Sequence, residues 1–352
     1  MFSGAYTALM TPMGEDGGVD GAALERLLEF QMVNGVSGIV AVGTTGESPT
    51  LDWEEHHRVV EITCELTRGR GAAIAGTGSN STRETLEGTA RAARAGADAV
   101  LLVDPYYNGP SSLEIRREYL EPVARAFAEL QVIPYVVPGR TGTALCPEDL
   151  ALLAARYGNV GGVKEATGDL ENMARIRQLC GEDFAILSGD DDLTLAMISD
   201  PAIRASGAIS VVSNVVPGPL QRLTELARAG QVEEAEELGS ILQPLFGIVH
   251  VETVEDSPHG PVRCKARSPL PIKTLMNLLG MPAGPCRPPL GRMTRQGLKV
   301  IAEAVRQVLE RDASVFAPLA EFFGVDVEAR IGDESIAEQL TYAEYEAAEI
   351  LV

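Results

Sequence analysis

Between residue 5 and about residue 229 one pattern recurs eight times: a short apolar, β-rich run ends in small or polar residues, and a segment of helical spacing follows. The runs fall at residues 5–10, 37–43, 72–76, 99–103, 132–137, 161–164, 184–188 and 208–212. Segments between them, such as 21–34, 53–68, 81–95, 113–130 and 147–156, carry apolar residues three and four apart, the spacing of one helix face. Asp52 with Glu55 and Ser81 with Glu84 fit capping boxes, which mark helix starts. Eight strand–helix units over this length predict an α/β fold, a parallel (β/α)8 TIM barrel ringed by helices. A doubly wound open sheet fits less well, because no GxGxxG opens the first helix and the count closes at eight. In such a barrel the chemistry sits at the C-terminal ends of the strands.

The remainder divides in two. Residues 230–311 read as a C-terminal helical domain, with helical patterns at 232–245, 270–279 and 292–311. Within it, the Pro-, Ser- and charge-rich stretch 252–271 reads as a loop. Residues 312–352 form an acidic tail with ten carboxylates and one arginine. There Ile336, Leu340, Ala343, Ala347 and Ile350 recur at 4-3-4-3 spacing, which predicts an amphipathic helix docked on the rest of the chain. The sequence thus predicts three segments: 1–229, 230–311 and 312–352.

A net charge of −21 repels nucleic acid and anionic lipid, so neither is an expected partner. The first residues, MFSGAYTALMTPM, lack the basic flank and apolar run of a secretory signal, and no stretch reaches the length of a membrane span. The five cysteines are scattered and no HExxH occurs, which predicts a cytoplasmic protein with reduced thiols and no metal site.

The basic residues are more telling. Only four are lysines (Lys164, Lys265, Lys273 and Lys299), so the first 264 residues contain a single lysine. Lys164 ends the sixth run. Placed among strand residues at a barrel mouth, its amine loses solvation, its pKa falls, and it becomes able to attack a carbonyl. The plainer reading is an ion pair, with Glu165 or with an acid across the barrel. After the second run, Gly43–Ser48 (GTTGES) offers backbone N–H groups and two hydroxyls, Thr44 and Thr45, that suit a carboxylate, or else simply caps the next helix. Tyr106 and Tyr107 follow the fourth run, as phenols for proton transfer or as loop packing. Tyr135 points inward from the fifth run, and Arg140 follows it on a turn, as a surface cation or as a fork for a substrate carboxylate. Hydroxyls, a phenol, a guanidinium and one lysine at strand ends make a pocket for a small anionic carbonyl compound.

With GTTGES, DPYYNGP, YVVPGRT, GGVKEATGD, LSGDD and GAISVVSN in order, residues 1 to about 311 resemble the dihydrodipicolinate synthase / N-acetylneuraminate lyase family of Schiff-base aldolases. The resemblance is closest to the branch that condenses pyruvate with L-aspartate-4-semialdehyde on the way to diaminopimelate and lysine. It implies Lys164 as the Schiff-base lysine, Tyr135 as general acid/base, Thr44 as a proton-relay hydroxyl and Tyr107 as a phenol reaching in from a neighbouring subunit. It further implies that Thr44 and Thr45 hold the pyruvate carboxylate, that Arg140 grips the aldehyde substrate's carboxylate, and that Gly189 and Ile209 line the pocket. No metal or organic cofactor is implied, and the assembly would be a homotetramer, a dimer of dimers. In lysine-sensitive members the effector site matches Ser48, Pro49, Trp53, His56, Asn80, Glu84 and Tyr106, although Glu84 and Asn80 also serve as helix-start residues and Trp53 as interface packing. N-acetylneuraminate lyase, a 2-keto-3-deoxy sugar acid aldolase and a non-catalytic keto-acid-binding barrel stand as alternatives. Arg140 speaks against the two aldolases and the complete residue set against the last. Three departures from the family pattern stand out: Val136 in place of Asn, a longer stretch at 249–268, and the tail. Val136 is expected to face away from Tyr135, one residue along the strand.

Overall fold

The computed structural model describes residues 2–342. Eight parallel strands close into a barrel: β1 Gly4–Ala8, β2 Gly38–Ala41, β3 Ala72–Gly76, β4 Ala99–Val103, β5 Gln131–Val136, β6 Gly162–Glu165, β7 Ala185–Ser188 and β8 Gly207–Ser210. Each pairs with the next, and β8 returns to β1 with Tyr6 opposite Ile209. Both faces of every strand are covered, which is why the runs are almost wholly apolar rather than alternating with polar residues.

Alternation survives in which layer each side chain enters. Tyr6, Val40, Ile74, Leu101, Ile133, Tyr135, Leu187 and Ile209 fill the barrel interior. Ile39, Ala73, Val100, Val132, Val136, Val163 and Ile186 pack outward against the helices. Val136 and Tyr135 therefore lie in different layers, as the strand period requires. The same alternation turns Lys164 inward and leaves Glu165 to bond outside.

Helix α1 is Gly21–Val33, α2 Trp53–Thr67 and α3 Thr82–Ala95. Asp52 and Glu55 close the full capping box of α2. At α3 only half of the expected box forms: Ser81 accepts the Glu84 N–H, but the Glu84 carboxylate accepts the Ser79 hydroxyl at 2.6 Å instead of returning to the Ser81 backbone. Ser79 in turn accepts the Ser81 N–H, so the cap is satisfied one residue group further back.

After the barrel come the helices Pro217–Arg228 and Val232–Gly247, then a correction to the expected loop. Residues 250–267 form an antiparallel ribbon, β9 His250–Ser257 with β10 Gly260–Arg267, paired from Ser257 opposite Gly260 to His250 opposite Arg267. Its charge suggests a loop, yet all the charges but Glu255 sit on one face. His250, Glu252, Val254 and Asp256 are exposed, while Val251 is buried and Thr253 half-buried. A ribbon with one wet face tolerates such a composition. Helices Leu270–Leu278 and Arg295–Asp312 follow, so this segment is helical apart from the ribbon.

The acidic segment docks as expected, but as short pieces. A 3-10 turn at Ala313–Phe316 leads into helices Ala317–Phe323, Val327–Ile331 and Glu334–Leu340. Phe316 and Leu319 are buried. Phe322 and Phe323 lie 5.3 and 5.1 Å from the ring of Phe30 on α1, and the Arg26 guanidinium stands 5.3 Å over Phe323. Arg330 donates to the carbonyls of Leu278 and Asn277 at 2.8 and 3.0 Å, satisfying the end of that helix. Of the expected stripe, Ile336 and Leu340 pack against the core, whereas Ala343, Ala347 and Ile350 lie outside the described residues.

Candidate active site

Strand register places Lys164 of β6 directly beside Tyr135 of β5, with the ammonium nitrogen 4.2 Å from the centroid of the phenol ring. Lys164 is only 5% exposed. Burial drives its pKa down from 10.5 to about 8, although Asp190 and Asp191 pull the other way and Arg140 adds to the depression. Burial pushes the Tyr135 phenol up to about 12, against Arg140 and Thr44, which lower it. The ion pair with Glu165 does not form. Glu165 accepts the Thr167 N–H and the Asn172 side-chain amide, both at 3.1 Å.

Gly189 follows β7 and donates its N–H to the Glu165 carbonyl at 2.7 Å. A Cβ there would stand 2.7 Å from Ala166 Cβ and 3.1 Å from Lys164 Cε, so the space around the amine depends on its being glycine. Ile209 is fully buried in the barrel interior. Thr44 is half-buried and Thr45 buried in the loop after β2. Arg140 lies in the short helix Pro138–Thr141 after β5 and is exposed. Tyr107 is 94% exposed and held at a φ of 78°, a left-handed conformation unusual for a ring-bearing residue. A rigid phenol thus stands clear of its own chain.

The residues expected around a lysine effector gather in part. Trp53 and His56 on α2 have ring centroids 5.1 Å apart. His56 is buried with Nε2 3.0 Å from the Gly76 carbonyl, which fixes Nε2 as the donor. Burial chiefly, then His57, lowers its pKa to about 4 despite that carbonyl, so the ring is neutral near pH 7 and its Nδ1 is an unpartnered acceptor. Asn80 accepts the Tyr106 N–H at 2.8 Å. Ser48 and Pro49 lie in the 3-10 turn Ser48–Thr50, and Glu84 in the first turn of α3.

Sequence reasoning missed several neighbours of the pocket. Asp190 and Asp191 follow β7 and act electrostatically on Lys164, a position that the strand-end rule already marked. Burial raises Asp190 to about 6, and Asp191 accepts the Val211 and Val212 N–H groups at 3.0 Å. Ser268 gave no signal, since it lay in the presumed loop. Its hydroxyl is 3.4 Å from that of Thr45, and its carbonyl accepts from Arg140 at 2.8 Å. Below the GTTGES loop Lys273 and Glu47 form a fully buried ion pair at 2.6 Å. Among the described residues no cluster of three or more His, Cys, Asp or Glu side chains could hold a metal ion, and no helix is long and apolar enough to cross a membrane.

Residues 1–308 match the model of the dihydrodipicolinate synthetase family. The 4-hydroxy-tetrahydrodipicolinate synthase of Syntrophus aciditrophicus is 41% identical over 309 residues, covering 86% of this chain and 98% of its own. The solved structure of the 4-hydroxy-tetrahydrodipicolinate synthase from Methylacidiphilum fumariolicum SolV superposes with a TM-score of 0.81 at 36% identity, covering 90% of this chain and 99% of that one. The dihydrodipicolinate synthase of Cyanidioschyzon merolae, solved with lysine bound, gives a TM-score of 0.79 at 35% identity, covering 87% and 98%.

Proposed function

This chain belongs to the dihydrodipicolinate synthetase family, and we propose that it condenses pyruvate with L-aspartate-4-semialdehyde through a Schiff base on Lys164. It is an enzyme, a lyase of the kind its relatives are named for. The observation that carries the mechanism is the buried amine of Lys164 against the Tyr135 ring, with its pKa brought down to about 8.

In this reading the neutral amine attacks the pyruvate ketone and water leaves, giving an iminium. Thr44 and Thr45 hold the carboxylate. The iminium makes the pyruvate methyl acidic, and a proton passes from it through Thr44 and Tyr135. The enamine carbon then attacks the aldehyde, whose oxygen takes a proton from Tyr135. Finally the amino group of the added substrate displaces Lys164 and closes the ring. Gly189 and Ile209 line the pocket and Arg140 grips the second substrate's carboxylate. No cofactor takes part. The left-handed, uncovered Tyr107 fits a phenol that completes the relay in a neighbouring subunit, within a cytoplasmic homotetramer built as a dimer of dimers. Steady-state assay should show turnover of pyruvate with L-aspartate-4-semialdehyde and none that cleaves N-acetylneuraminate or a 2-keto-3-deoxy sugar acid. The reverse preference overturns the reading.

L-Lysine as a feedback inhibitor extends the proposal, with Ser48, Pro49, Trp53, His56, Asn80, Glu84 and Tyr106 as its site. The lysine-bound Cyanidioschyzon merolae relative supports it, as does the free acceptor on neutral His56, which suits an ammonium donor. Tyr106 and Tyr107 share one turn, so ligand contact with one could move the other. Millimolar L-lysine is expected to slow the initial rate of the wild type and to leave Glu84→Thr unaffected. A wild-type rate indifferent to lysine removes the site.

A further inference from the structure

The ribbon β9–β10 reaches the active-site mouth through a reciprocal clasp. Arg267, its last residue, donates to the Gly139 carbonyl at 3.0 Å, and Arg140, the next residue after Gly139, donates to the Ser268 carbonyl at 2.8 Å. Each guanidinium uses one of its five N–H donors in this exchange. Among the described residues neither has a carboxylate within ion-pair distance. The two also repel one another as like charges.

Lys265 adds a further cation nearby, while Asp190, Asp192 and Glu252 supply acids without pairing with either arginine. Register places His250 opposite Arg267 and Glu252 opposite Lys265, so these side chains share the exposed face of the ribbon. His250 feels the charges of Arg140, Arg267, Lys265 and Asp192, which locates that face at the barrel mouth. In a chain of net charge −21, two arginines at the barrel mouth without an ion-pair partner among the described residues are free to meet an anion.

We infer that Arg267 joins Arg140 in a two-guanidinium clamp for the carboxylate of the incoming aldehyde substrate. The inference rests on the condensation proposed above and adds a specificity residue supplied by the ribbon. Each planar fork keeps N–H donors beyond the one its clasp uses, and an arriving anion relieves the repulsion between the two charges. Pyruvate, bound deeper by the threonines and the imine, does not use the clamp.

Arg267→Gln keeps an amide donor for the Gly139 carbonyl but removes the charge. It is expected to raise KM for L-aspartate-4-semialdehyde about tenfold, to leave KM for pyruvate unchanged, and to flatten the fall of kcat/KM for the aldehyde with added salt. Arg267→Lys should recover part of both losses. An unaltered aldehyde KM and salt slope in Arg267→Gln overturns the clamp. So does a lysine variant as impaired as the glutamine one with pyruvate KM also raised, which would mark a merely structural clasp. Borohydride trapping of pyruvate in the same variants separates the two readings. An adduct on Lys164 with a wild-type aldehyde KM defeats only the clamp, whereas no adduct in the wild type defeats the condensation itself.

Discussion

Borohydride added in the presence of pyruvate is expected to fix the substrate on Lys164 and on none of Lys265, Lys273 and Lys299. Lys164 combines a barrel-mouth position with a pKa lowered by burial to about 8. At pH 7 roughly a tenth of such an amine is neutral, against a few in ten thousand for a lysine at its ordinary value. Adduct formation should therefore climb as pH rises through about 8 and level off above it. Lys265 and Lys299 are exposed outside the barrel. Lys273 is wholly enclosed, its nitrogen 2.9 Å from the Thr11 carbonyl and 2.6 Å from Glu47. Lys164→Arg should lose turnover by a factor on the order of 10³ or more, because guanidinium stays cationic and forms no imine. Peptide mapping that places the label on another lysine sinks the mechanism.

The second large effect concerns stability. Lys273→Met is expected to destabilise the fold by about 3–5 kcal/mol, since it leaves a buried carboxylate without its partner. Glu47 holds a φ of 58° in the loop that carries Thr44 and Thr45. One carboxylate oxygen meets Lys273, and the other accepts the Arg287 N–H at 2.8 Å. Lys273 also donates to Thr11, so one side chain ties the loop after β2 to the chain after β1. Adding Glu47→Gln should restore much of the loss, because no buried charge then remains unpaired. Chemical denaturation followed by circular dichroism measures both. A single variant as stable as the wild type would show that the pair contributes little to the fold.

The barrel was readable because two periods coexist in the sequence: short apolar runs for strands covered on both faces, and apolar residues three and four apart for the helices between. Once the strands were placed, the strand-end rule located Lys164, Tyr135, Arg140 and the threonines without further information. What escaped was set by tertiary context. The ribbon at 250–267 hid its alternation under charge, since the covered side of β9 is Val251, Thr253, Glu255 and Ser257, of which only Val251 is apolar. Glu84 satisfied a sequence signature for a capping box, yet a nearer hydroxyl, Ser79, took its carboxylate. Ser268 reaches Thr45 across 223 positions of chain, and no local pattern records such a contact.

The packing of Phe322 and Phe323 on Phe30 sets a delay during biosynthesis. Phe30 is made early, but its two ring partners are made nearly three hundred residues later. At about 5–20 residues per second that interval lasts roughly 15 to 60 seconds. Throughout it, the Phe30 ring lacks the two aromatic partners that pack on it in the finished fold. A chain that stops short of residue 322 never supplies either ring, and it would leave Phe30 as apolar surface of the kind that holdase chaperones recognise.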